Sequence, residues 1–230
     1  MTETEWATCK NPKIMLAFLA EQRNASERQC RLFSCACCRC VWHLLSSDQA
    51  RTAVEVAELH ADGLAGDEEL EEAQEAAAKL PSLSGVVAKW ASSCVAHSGA
   101  MLVVDAAGQL AASPPDQEYD PARWTAETLK QCELLRDIFG PRPFRTVVVA
   151  PAWLTTEVRA LAQAIYEARS FDRMTELGQA LYRAACADRD ILHHCLWKGK
   201  HARGCWVIDL LLEKESGKVS DSSGESGPER

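Results

Sequence analysis

Several kinds of segment are missing from this chain of 230 residues. No run approaches the roughly 20 apolar residues that a membrane-spanning helix needs. The longest apolar block, around residues 100–112, is interrupted by Asp105, Gly108 and Gln109 and preceded by Gly99. The opening Met1-Thr2-Glu3-Thr4-Glu5-Trp6 is acidic and has no basic flank ahead of an apolar stretch, so the pattern of an export signal is absent and a cytoplasmic location is expected. There is no Gly-x-Ser-x-Gly elbow, no phosphate-binding glycine loop and no His-Glu-x-x-His pair, which removes the common hydrolase and nucleotide signatures. Positive charge is short as well: 25 Lys and Arg face 33 Asp and Glu, a net of −8. Phosphate backbones are gripped by Lys and Arg, so this balance argues against a nucleic-acid partner.

Cysteine, by contrast, is abundant. Eleven thiols, an odd number, in a chain expected to stay in a reducing compartment point to packing, metal or redox chemistry rather than to a disulfide frame. Charge is distributed unevenly. Residues 44–80 carry ten acids against Arg51 and Lys79, a local net of −8, whereas residues 141–206 carry ten Lys and Arg against six acids, a net of +4. The acidic stretch reads either as a solvated helix face or as a docking surface for a basic partner.

Helix signals dominate. Asn11-Pro12 is an N-cap followed by a first-turn proline, and Ser26-Glu27-Arg28-Gln29 is a capping box. The helix opened there is expected to run to about Leu45, with Phe33, Cys37, Cys40 and Leu44 on one side and Cys35, Cys38 and Trp42 opposite. A helix apolar on both faces belongs at the centre of a fold. Asp48, Asp67, Thr155 or Thr156, Asp172 and Asp188 open further helices, and Gly63, Pro81 and Gly140 close earlier ones. Residues 84–111 read as one long helix or two joined ones, and 125–139 as another. The proline-rich run 113–121 is the clearest break, and the β-branched Thr146-Val147-Val148-Val149 is a short extended segment near 145–149. The expectation is an all-α, multi-helix bundle of about nine or ten helices. Residues 1–112 would form an N-terminal lobe and 122–215 a C-terminal lobe, within one domain or two, followed by a disordered Ser/Gly/charge tail at 216–230.

Several strings occur together: Arg31-Leu32-Phe33-Ser34-Cys35-Ala36-Cys37-Cys38-Arg39, Leu135-Arg136-Asp137-Ile138-Phe139-Gly140, Ala152-Trp153-Leu154-Thr155, and His201-Ala202-Arg203-Gly204-Cys205-Trp206-Val207-Ile208-Asp209. In these the chain resembles a family of uncharacterised bacterial proteins abundant in planctomycetes, some of which carry the label SMI1/KNR4-like. That label implies an interaction module rather than an enzyme. The resemblance spans nearly all of the chain except the tail, and departs from the family pattern at Cys40 and through residues 196–200.

Chemistry-bearing residues gather near the C-terminus. His194, Cys195, His201 and Cys205 could supply the four N and S ligands that zinc takes at tetrahedral corners, with the turn at Lys198-Gly199-Lys200 bringing them together. Against this, the spacing matches no standard zinc pattern, and neighbours on a helix point about 100° apart. The Cys35-x-x-Cys38 and Cys37-x-x-Cys40 pairs sit mid-helix, where the amides a metal knuckle needs are already used, so they read as compact core filling. A thiol enzyme would use Cys205 with His201, or Cys94 with His97. Arg142, Arg145, Lys198, Lys200 and Arg203 form either an anion-binding patch or ordinary solubilising charge. The leading expectation is a non-catalytic helical scaffold or interaction module whose partner is another protein. The alternatives are a structural zinc protein and, after it, a thiol-dependent enzyme.

Overall fold

The structure, a computed structural model, describes residues 1–23, 25–93, 95–141, 143–197 and 199–214. About 70% of the chain is helical and no strand occurs among the described residues, so the fold is the expected all-α multi-helix bundle. Twelve α-helices are present among the described residues, ten of them with seven or more residues. In chain order they are α1 (Glu3–Thr8), α2 (Pro12–Gln22), α3 (Glu27–Cys40), α4 (Asp48–Ala61), α5 (Asp67–Ala78), α6 (Leu83–Ala91), α7 (Ala96–Ala112), α8 (Pro121–Phe139), α9 (Thr156–Ala168), α10 (Met174–Arg183), α11 (Arg189–Leu196) and α12 (Trp206–Leu211).

Local sequence sets most of these ends. The Asn11 side chain accepts from the Lys13 amide with Pro12 in the first turn, and Ser26 and Gln29 satisfy each other's amides as a capping box. Thr155 and Asp188 cap α9 and α11 in the same way. Gly63, at φ 71°, lets the chain turn back after α4, with its N–H on the His60 carbonyl and that of Leu64 on Leu59. The proline run behaves differently from its reading as a pure break. Asp120 caps the Ala122 amide and Pro121 occupies the first turn, where its missing N–H costs nothing, so α8 starts before Thr125. The segment 146–150 has no regular structure, and residues 215–230, including the tail expected to be disordered, lie outside the described residues.

The core is organised around α3. All ten residues from 29 to 38 are buried, which requires neighbours on every side; α4, α6, α7 and α8 supply them. Small side chains make this approach close: Ala50, Ala53 and Ala57 of α4, Ala88 of α6 and Ala100 and Ala107 of α7 are fully buried. Cys35 and Cys38 fit the same spacing and donate weak S–H bonds to the carbonyls of Val54 (3.8 Å) and Val87 (3.7 Å). Helix α8, which follows the proline run, shares this core through Cys132, Leu134, Leu135, Ile138 and Phe139. A second apolar cluster joins α9, α10, α11 and α12 around Ile165, Leu177, Ile191 and Trp206.

Two buried ionic networks cross between these clusters. In one, Arg28 of α3 bonds Asp209 of α12 at 2.5 Å and Asp62 at 3.0 Å, and the Tyr166 hydroxyl of α9 donates to Asp62 at 2.6 Å. In the other, the buried Glu58 of α4 receives two bonds from Arg39 (3.2 and 2.7 Å) and two from Arg169 at the end of α9. Burial opposes the Glu58 charge, but the hydrogen bonds from Arg169 and Arg39 outweigh it and hold its carboxyl below the usual carboxylate range. A depressed pKa of this kind contributes stability that is present above the unfolded-state value and lost as pH falls through the folded-state value.

Unfolding free energy measured by denaturant titration should therefore decline as pH drops below about 4.5. Glu58→Gln should remove about 2–4 kcal/mol at neutral pH and flatten that acid dependence, the loss reduced because both arginines are partly exposed. A second substitution probes the seam between the clusters. Gly140 ends α8 at φ 55°, and a Cβ there would lie 2.6 Å from the Trp206 ring. Gly140→Ala should lower stability by about 2–4 kcal/mol, from left-handed strain together with overpacking, in the same titration.

Candidate metal centre

The first core cluster ends at the C-terminal turn of α8, and the second begins again where α12 packs against it. At this junction four chemically distinct donors converge. Asp137 comes from the last turn of α8, His194 from the last turn of α11, His201 from the loop that follows, and Cys205 is the N-cap of α12. One donor atom from each lies within 4.8 Å of all the others. Asp137 and Cys205 are completely buried, and the His201 and His194 side chains are only 3% and 11% exposed.

Three of the four residues expected from sequence are thus brought together, and the fourth is not. Cys195 follows His194 on α11 and is turned away from it by the helix, into the second core, where a Cβ on Gly178 of α10 would meet its own Cβ at 2.9 Å. Burial pushes its thiol up to about 12. Its place in the cluster is taken by Asp137, some 57 residues earlier in the chain. The signal that marks Asp137 in sequence is an acid inside an apolar stripe, with Leu134 one turn before it and Ile138 and Phe139 directly after.

The hydrogen bonds orient each donor. Asp137 Oδ2 accepts the Ala202 amide at 2.8 Å, which leaves Oδ1 for the cluster. Oδ1 lies 2.7 Å from His201 Nδ1 and 3.1 Å from His194 Nε2. His194 Nε2 is also 3.1 Å from Cys205 Sγ, and His201 Nδ1 is 3.9 Å from the same sulfur. On the far side of the His201 ring, Nε2 faces the Trp197 carbonyl at 3.4 Å. A carbonyl can only accept, so with an ion bound an Nε2–H donated to it would leave the Nδ1 lone pair for the metal, as metal-binding histidines require. Trp206 and Trp197 lie 5.2 and 6.3 Å from the His194 ring, and Trp197 meets His201 edge-on, so aromatic surface walls the cluster.

Burial and the Asp137 charge set the electrostatics of the four donors. Burial opposes the charge of Asp137, but hydrogen bonds from His194 and His201 overcome it and hold the carboxyl below its ordinary range. Burial lowers His194, with Asp137 only partly offsetting it, so its imidazole is neutral near pH 7 with a lone pair to offer. Burial and then the Asp137 charge push the Cys205 thiol far up, while the Val207 and Ile208 amides pull the other way. A divalent cation would satisfy the carboxylate, both lone pairs and a thiolate together. For tetrahedral zinc, N–O and N–S edges are roughly 3.3 and 3.6 Å, and the four separations here fall within about 0.6 Å of those values. The donor set therefore fits a metal ion: a buried Asp/His/His/Cys group that could hold one.

The other sequence candidates are placed as follows. Among the described residues no metal-type cluster forms from the α3 cysteines, and burial raises the pKa of Cys30 (to about 12), Cys35, Cys37 and Cys38. Of the thiol–histidine pairs, Cys205 has the opposite of an activated environment, and Cys94 lies outside the described residues, while His97 faces the Ala25 carbonyl at 3.1 Å. Of the suggested basic patch, Arg145 instead bridges Glu3 and Asp190, Arg142 and Lys198 lie outside the described residues, and Lys200 and Arg203 line a cleft beside His201.

No protein-family model matches the chain, and none of the curated proteins or solved structures compared with it matches either. What fold and site define is a class: an all-α protein with an Asp/His/His/Cys cluster buried at the junction of its two apolar clusters.

Alkylation of the native protein with iodoacetamide at neutral pH, mapped by mass spectrometry, should leave Cys30, Cys35, Cys37, Cys38, Cys195 and Cys205 unmodified until denaturant is added. Fast labelling of Cys205 would instead mark an activated thiol.

Proposed function

We propose that this protein is a non-catalytic helical scaffold locked by one structural zinc ion, held by Asp137, His194, His201 and Cys205. The observation that carries the reading is the convergence of four buried donors, one each from α8, α11, the following loop and α12, with all donor atoms within 4.8 Å. Zinc is favoured by the mixture itself: two imidazoles, one thiolate and one carboxylate are borderline ligands suited to a tetrahedral ion, whereas calcium and magnesium take oxygen shells. Four protein ligands fill that shell and leave no position for water or substrate, the hallmark of a structural rather than a catalytic site. The chemistry such an ion supplies is cross-linking. It would tie α8, part of the first core, to α11 and α12 of the second, beside the ionic contacts made by Arg28 and Glu58.

The interaction role of such a scaffold has its own support in the exposed face of α5. Glu68, Glu69, Glu71, Glu72 and Glu75 all face solvent there, a surface suited to a basic protein partner.

Elemental analysis of protein purified without chelator should find one zinc per chain. Asp137→Ala, His201→Ala and Cys205→Ser should each lose it, and Cys195→Ser should keep it. Stripping the ion should lower the thermal midpoint by roughly 10 °C. Absence of stoichiometric metal from the wild type, or retention of it in the Cys205 and Asp137 variants, would defeat the reading.

A further inference from the structure

A second cleft, distinct from the metal centre although His201 is on its wall, lies between α3, the end of α9 and the loop leading into α12. It is open to solvent on one side, and the charge around it is the reverse of the chain's. Arg39, Arg169, Lys200 and Arg203 line it with one carboxylate, Glu58, a net of +3 in a protein of net −8. The remaining wall is apolar, from Leu32, Leu134 and Phe171 among others.

The cations are positioned by acids around the cleft, Glu55 and Glu58 beside Arg39 and Asp62 beside Arg203, with N–H groups left over. Glu58 is a single buried anion shared by two guanidinium forks, and each fork spends only two of its five N–H groups on it. The Arg39 plane is further fixed at 3.8 Å from the Trp42 ring. Arg169 is the left-handed C-cap of α9, its N–H on the Ile165 carbonyl, which fixes where its side chain leaves the backbone. Arg203 lies over the Tyr166 ring, and its buried Nε has no hydrogen-bond partner, its nearest acid oxygen being on Asp62 at 3.4 Å. Lys200 is exposed at the rim and makes no ion pair among the described residues. Pre-organised forks of this kind match the planar, multidentate oxygens of a carboxylate or phosphate. The apolar wall matches a hydrocarbon body.

We propose that this cleft binds a small organic oxyanion, a carboxylate or phosphate ester with an apolar body, whose head group is gripped by Arg39, Arg169, Lys200 and Arg203. This does not depend on the zinc reading, because none of the four cations is a metal donor. Isothermal titration of the full chain with octyl phosphate, octanoate and inorganic phosphate tests it. At least one octyl probe should bind saturably at one per chain and more tightly than inorganic phosphate, and the tighter of the two octyl probes identifies the head group. Lys200→Gln, an exposed change that leaves the core intact, should weaken that probe about tenfold, and Lys200→Arg should restore it. No saturable binding by either octyl probe, equal affinity for inorganic phosphate, or affinity unchanged in Lys200→Gln would overturn the proposal.

Discussion

Burial of α3 on every side is the constraint from which the rest of the architecture follows. A helix with no solvent-facing stripe from residue 29 to residue 38 has to be enclosed, and α4, α6, α7 and α8 enclose it with alanine-rich faces that allow close axial approach. Cysteine serves here as a residue between alanine and valine in size, with a soft sulfur that tolerates irregular contact. The polar side chains that α3 carries into this interior are met: Arg31 donates to the Ser93 carbonyl at 2.7 Å, and Ser34 donates to the carbonyl one turn behind it. Enclosure of α3 fixes α8, and the C-terminal turn of α8 carries Asp137 to the edge of the first core.

The second cluster would be a weak partner for the first on apolar contact alone. Its attachment is ionic and polar: Arg28 with Asp62 and Asp209, Glu58 with Arg39 and Arg169, and Asp137 with His194, His201 and the Ala202 amide. Buried ion pairs often do little for net stability, because desolvation offsets their attraction, but a missing partner is costly, and so they specify one arrangement. The metal reading fits this logic. An ion at the Asp137 cluster would convert three polar contacts into one coordination shell and secure the junction at the place where α12 and its Trp206 press on Gly140.

Local features of the fold were legible in the sequence, and long-range ones were not. The caps at Asn11, Ser26, Thr155 and Asp188 are read within four residues and correspond to observed helix starts. The buried character of the α3 cysteines followed from periodicity on two faces of one helix. Pro121 was harder, because the same residue ends one helix or begins another, and only the preceding Asp120 decides between them. At the metal centre, His194, His201 and Cys205 were found by proximity in sequence, and that same criterion wrongly added Cys195 to the converging group and hid Asp137, which arrives from another helix. The cleft cations were divided in the same way: Lys200 and Arg203 are close in the chain, while Arg39 and Arg169 join them only through the shared Glu58, an acid concealed, like Asp62, inside a run that mostly faces solvent.

The proposed site fixes which atoms would surround a zinc ion, and X-ray absorption at the zinc edge addresses that directly. It predicts one sulfur at roughly 2.3 Å and three nitrogen or oxygen neighbours at roughly 2.0–2.1 Å. A shell of several sulfurs would place the metal on the α3 cysteines and contradict both the closed helix and the junction site.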